Sequence, residues 1–194
     1  MILADIADVL AGYLFRSKLE QEEGGAYGVV QMRDVAGDSR IDWGGLVRVS
    51  LGPVKESFLV KPGDILLKAK GSSHIAVMVD RDMRDVIASS HFFILRIRRD
   101  GVLPEYLTWY LNQKPAQQGI AQISVGTWMR HVTKEGISKL LVPIPDLATQ
   151  RRIAHVNDLA GRERQLVNAI HERREALRNA VLLNAIRDRE TGEE

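Results

Sequence analysis

Between Leu147 and Arg187 the sequence holds no proline and a single glycine, Gly161, and immediately before this stretch stands Val142-Pro143-Ile144-Pro145. Each proline ring removes an amide donor and biases the residue before it toward extended geometry, so no helix runs through the tetrad. The stretch beyond the tetrad reads as one long helix. Val156, Leu159, Leu166, Ile170, Leu177 and Ala180 fall on one heptad-like seam along it. At ~1.5 Å per residue the helix is about 60 Å long, more than a domain of this size covers with its own surface, which predicts a partner for the seam. Glu163 and Arg173 interrupt it and favour a mixed, register-specific contact over a perfect two-stranded coiled coil. A solvated helix folded back on its own domain is the simpler alternative. The boundary divides the chain into a globular part, 1–145, and a helical part with a short tail, 146–194.

The globular part reads as mainly strands. Tyr27 to Met32, Leu46 to Leu51, Ile65 to Leu67, Ile75 to Val79 and Phe92 to Ile97 are rich in branched or aromatic residues and bounded by Gly, Pro, Asp or Ser. Met1 to Leu10 looks like a short element leading into Gly12, and Glu20 to Gly25 an exposed turn. Pro104 to Asn112 carries Tyr106, Leu107, Tyr110 and Leu111 at helical spacing behind an initial proline, and Lys134 to Leu140 reads as a second short helix capped by Thr133. The fold class is therefore α+β: a curved, mainly antiparallel sheet with small helices, followed by one long C-terminal spacer helix.

Several function classes drop out. The 194 residues contain no cysteine, which removes disulfides, thiol nucleophiles and thiolate metal sites. No apolar run approaches the ~20 residues that span a bilayer, and Asp5 and Asp8 break any signal-like start, so a cytoplasmic, membrane-free protein is expected. No Gly-rich phosphate loop, nucleophile elbow or zinc-binding helix motif is present, and His74, His91, His131, His155 and His171 lack metal-ligand spacing. Asp64 with Lys68 and Lys70 is the nearest approach to a nuclease centre, but no second carboxylate completes it, and Asp64 fits a turn in Pro62-Gly63-Asp64. No catalytic residue, metal or cofactor is expected.

Three segments suit DNA instead, and the net charge of +2 is compatible with one basic face on a nearly neutral chain. Lys68-Ala69-Lys70-Gly71-Ser72-Ser73-His74 lies between two strand-like runs. Its lysines can neutralise phosphates, its glycine admits close backbone approach, and its hydroxyls and imidazole can bond phosphates or base edges. A surface hairpin that merely carries two lysines is the plainer reading. Thr127, Arg130 and His131 form a second set, in which Trp128 reads better as a packing anchor than as a contact. Gln31 and Arg33 form a third, although Arg33 beside Asp34 also makes a simple surface pair.

Several stretches together resemble the DNA specificity subunit of type I restriction-modification systems. They are Val30 to Val35, Val60-Lys61-Pro62-Gly63-Asp64-Ile65-Leu66-Leu67 with Lys70-Gly71, Ser90 to Arg96, Pro104-Glu105-Tyr106-Leu107 through Leu111-Asn112, Gly126-Thr127, and Leu141 to Ile153. The order and spacing match over nearly the whole chain. The resemblance implies that 1–145 is a target recognition domain and that the long helix is a spacer. It also implies that methyl transfer and cleavage lie in separate modification and restriction subunits. Such subunits usually carry two recognition domains with antiparallel helices, each reading half of a split site. This chain looks like a half-length form, so double-stranded DNA, a second copy paired through Val156, Leu159, Leu166, Ile170 and Leu177, a DNA methyltransferase subunit and a restriction subunit are the expected partners. A free-standing DNA-binding regulator and a DNA-free assembly adaptor are the competing functions.

Overall fold

The computed structural model describes residues 1–16, 18–36, 40–71, 73–126 and 131–190. Its core grows outward from Ile65-Leu66-Leu67, all fully buried. An uninterrupted apolar triplet suits a strand covered on both faces, because successive side chains point to opposite sides. This strand, β6 (Ile65–Lys68), lies in an antiparallel sheet with β1 (Ala7–Ala11), β7 (Ala76–Met78) and β9 (Phe92–Ile97), in the order β1-β9-β6-β7. Ile65 pairs with Leu95 and Leu67 with Phe93, and these four face one side; Leu66 and Ile94, also paired, face the other.

On the first side pack α1 (Pro104–Leu111), α2 (Lys114–Ile123) and α3 (Lys134–Ser138), through Leu107, Leu111, Ile120 and Ile137. On the second side Val30, Val86 and Ala88 belong to a smaller sheet, β5-β2-β8, built from β2 (Tyr27–Val30), β5 (Val47–Val49) and β8 (Val86–Ala88). Helices, a four-stranded sheet and a three-stranded sheet thus form successive layers, in agreement with the expected α+β class. Among the described residues, pairing departs from antiparallel where β2 and β8 run parallel and at the single Tyr13–Ser89 bridge. Two short hairpins complete the domain: β3 (Val35–Ala36) with β4 (Arg40–Ile41), and β10 (Ser124–Val125) with β11 (His131–Val132).

All five strand expectations fall on observed strands. Other elements escaped them, among them β1, β8 and α2. The short N-terminal element is a 3-10 turn (Leu3–Asp5) followed by β1. β8 spans only three residues behind a polar approach, too short to show a period. α2 contains Pro115 and Gly119, which argue locally against a helix. Pro115 nevertheless sits in the first turn, where its missing N–H is not needed. Gly119 lies where a Cβ would come within 2.9 Å of Leu140 Cδ1, so helix packing supplies what propensity lacks.

Polar side chains finish the edges. Asn112 accepts from the Ala76 N–H at 2.9 Å and donates to its carbonyl at 2.8 Å, pairing with edge strand β7 as a neighbouring strand would. The long helix, α4 (Leu147–Glu190), follows Pro145 and is capped by Asp146, whose carboxylate accepts from the Thr149 N–H at 2.9 Å. The chain divides into two compact units, Met1–Ala154 and His155–Glu194, so the first turns of α4 belong with the globular unit. Gln150 shows why. Fully buried, it accepts from Leu103 N–H at 2.9 Å and donates to the carbonyls of Gly101 and Pro145 at 2.9 and 2.8 Å.

Candidate nucleic-acid interface

The strand register that builds the core also brings two of the three polar segments together. β6 ends at Lys68 opposite Phe92. The next residue, Ala69, donates to the His91 carbonyl at 2.7 Å and accepts from the Val132 N–H at 2.8 Å. Lys70 then stands directly opposite His131 in an antiparallel bridge. Cross-strand partners have Cβ atoms roughly 5 Å apart, so the lysine and the imidazole are neighbours. Gly71 turns the chain with φ of 108°, and Lys68 Nζ lies 3.8 Å from where a Gly71 Cβ would stand. The turn therefore keeps the Lys68 ammonium close to Lys70. Ser73 and His131 are exposed and both lysines half-exposed. Ser72, Thr127, Trp128 and Arg130 lie outside the described residues.

His74 departs from the expected reader role. It is 4% exposed, its Nδ1 donates to the Lys68 carbonyl at 2.9 Å, and its Nε2 lies 3.2 Å from Ser124 Oγ. A residue so enclosed ties the two loops together from beneath and cannot face a duplex. Sequence reasoning took its polarity for exposure.

The third segment is joined to the same edge through β8. Ser89, at the end of that strand, donates to the Val30 carbonyl at 2.9 Å, and Gln31 follows Val30 directly. Gln31 is half-buried, and its N–H donates to Asp34 Oδ2 at 2.7 Å. Arg33 Nε is 3.6 Å from Asp34 Oδ1, too long for a hydrogen bond, and the Arg33 side chain remains 64% exposed. Burial pushes the Asp34 carboxyl up, against the Gln31 N–H and Arg33, which draw it down.

One residue at this edge was not singled out from sequence. His91 is exposed in the turn between β8 and β9, with Nδ1 3.4 Å from Ser89 Oγ. Partial burial and the Lys70 charge together hold its imidazole below the ordinary histidine range. The Ser90-His91 pair between two apolar runs was the available signal.

Asp64 has no part in this edge. It is 2% exposed, takes Arg96 Nε and Nη2 at 2.9 and 2.7 Å, and also accepts from the Lys61 N–H at 2.8 Å. Its oxygens are engaged by the fold. Among the described residues, no three His, Asp or Glu side chains are gathered as a metal site would require, and no helix is long and apolar enough to cross a membrane.

Residues 1–171 match the family model described as type I restriction modification DNA specificity domain. The chain belongs to that family. Solved structures agree on the fold of the specificity domain. The HsdS subunit from Thermoanaerobacter tengcongensis aligns with a TM-score of 0.60 and 22% identity, covering 84% of this chain and 37% of that one. A structure described as the basis of complex assembly and conformational transition of the type I R-M system gives 0.63 and 19%, covering 84% and 38%. The type I restriction-modification S subunit from M. genitalium gives 0.54 and 16%, covering 80% and 37%. The chain thus spans under two-fifths of the length of each, with one recognition domain. No curated protein matches the chain.

Proposed function

We propose that this chain selects the DNA site for a type I restriction-modification assembly, reading half of a bipartite sequence and catalysing nothing itself. The observation that carries the reading is the specificity-domain match over residues 1–171. The joining of Lys68, Lys70, Ser73 and His131 at one edge supplies a surface suited to phosphates and base edges. Ser72, Thr127 and Arg130 fall in the same two loops by sequence, and Gln31 and Arg33 follow Val30, whose carbonyl accepts from the Ser89 N–H just after β8. The lysines neutralise backbone phosphates, while Arg130 is suited to guanine. Methyl transfer belongs to a methyltransferase subunit and cleavage to a restriction subunit. The second half of the site is read by a second copy paired through Val156, Leu159, Leu166, Ile170 and Leu177.

Binding to mixed-sequence duplexes at two salt concentrations tests this. Affinity should fall steeply with salt. Lys68→Ala with Lys70→Ala should reduce the slope of log K against log salt by about one unit per lost phosphate contact, and Arg130→Ala should change preference at one base position by ~1–3 kcal/mol. A lysine variant with wild-type affinity and slope contradicts the loop assignment. Absence of DNA binding would favour an assembly adaptor, and site-specific binding without association with any methyltransferase a free-standing regulator.

A further inference from the structure

We infer that Lys70, His91 and His131 together seat one backbone phosphate of bound DNA, and that His91 takes up a proton as the phosphate arrives. The inference rests on the DNA-binding reading above and adds both a contact residue and a linkage to it. Three elements meet at this point: the turn after β6 brings Lys70, the β8–β9 turn brings His91, and β11 brings His131. They are fixed by backbone rather than by mobile side chains. Ala69 bonds to His91 on one side and Val132 on the other, so the strand carrying Lys70 is clamped between the segments that carry the two histidines.

The charge arrangement calls for an anion. The charge that acts on His91 is that of Lys70, from the end of β6, and the Ser89 hydroxyl just after β8 lies 3.4 Å from its Nδ1; His131, on β11, stands opposite that same lysine. Among the described residues, every ion pair lies elsewhere and none engages Lys70, His91 or His131. Partial burial, and after it the neighbouring Lys70 charge, disfavour a positive charge on the His91 ring and hold its imidazole below the ordinary histidine range. A phosphate placed between them reverses the sign of the local field. The proton then enters from solvent to the imidazole, which becomes a second charged donor to the phosphate oxygens.

A proton bound on complex formation makes affinity rise as pH falls, across the interval between the lower His91 pKa of the free protein and the higher one of the complex. The test measures binding of a mixed-sequence duplex at about pH 8 and about pH 6 at fixed salt, for the wild type and for His91→Ala, His91→Arg and a His155→Gln/His171→Gln control. The wild type and the control should bind roughly three- to tenfold more tightly at the lower pH. His91→Ala should lose at least half of that gain, and His91→Arg should bind tightly at both values. The His91 ring resonance should shift toward higher pKa with duplex and not with inorganic phosphate at equal phosphate concentration. A pH-independent wild type, a gain retained in His91→Ala, or an equal shift with inorganic phosphate would overturn the seat while leaving DNA binding intact. A protein that binds no duplex at either pH fails the underlying reading instead.

Discussion

The Asp64 carboxylate is almost wholly enclosed, and its partner Arg96 is held by two bonds to it and a third to the Leu59 carbonyl at 2.9 Å. The Asp64 hydrogen bond is the main reason the Arg96 guanidinium binds its proton even more firmly than usual. Removing one partner strands the other, which is costlier than removing both. Arg96→Ala should therefore destabilise the domain by about 3–5 kcal/mol in urea unfolding, whereas replacing both members with apolar residues should recover much of that. An Arg96→Ala protein of wild-type stability would mean that Asp64 has another counter-charge. From sequence, Asp64 was legible as a turn residue, because Pro62-Gly63 fixes the local geometry and Gly63 adopts a φ of 85°. Its partner was not, since Asp64 stands just before β6 while Arg96 is on β9, and nothing local couples them. His74 failed for the converse reason: a loop sequence carries no record of which polar side chain folds inward.

Single residues also decide how elements meet. Gly12 ends β1 beside the end of β8, and a Cβ there would lie 2.2 Å from the Ser89 carbonyl oxygen. The approach is locked by Tyr13 N–H to the Ala88 carbonyl at 2.7 Å and Ser90 N–H to the Tyr13 carbonyl at 2.8 Å, just ahead of His91. Gly12→Ala must push backbone against backbone and should cost at least ~1–3 kcal/mol in unfolding experiments; a neutral substitution would show that the two strands can part freely. At the start of α4, Gln150→Ala would leave one N–H and two carbonyls without partners in a buried site, with an expected loss of roughly 2–4 kcal/mol. A loss below that of a typical surface substitution would contradict it. Long elements with a clear period, such as β9, α1 and α4, were legible in the sequence. α2 and β8 were not, since both depend on tertiary packing that outweighs local propensity.

At the scale of the whole molecule, α4 is the part that asks for something outside the chain. Val156, Leu159, Leu166, Ile170 and Leu177 are 49–66% exposed, and Val167, Val181, Leu182 and Leu183 add further exposed apolar surface. Such a stripe is a usual sign of an association face. Under the proposed pairing, Leu166→Glu with Ile170→Glu should yield monomers in sedimentation with the domain's far-ultraviolet spectrum and urea midpoint nearly unchanged; an intact dimer would remove the helix from the interface. The seam itself was readable from spacing alone, and so were the three polar segments. Their assembly into one edge was not, because it depends on the Lys70–His131 bridge and the Ala69 hydrogen bonds, which join residues far apart in the sequence. If two identical chains pair about a two-fold axis, their recognition domains must read the same short sequence twice in inverted orientation, with a spacer whose length tolerates little change because each added base pair rotates one half-site against the other. Selection from a randomised duplex pool, followed by affinity measurements on inverted, direct and single half-sites at equal salt, tests this most directly. The inverted pair with one fixed gap should bind far more tightly than the other two, and equal affinity for all three would contradict the account.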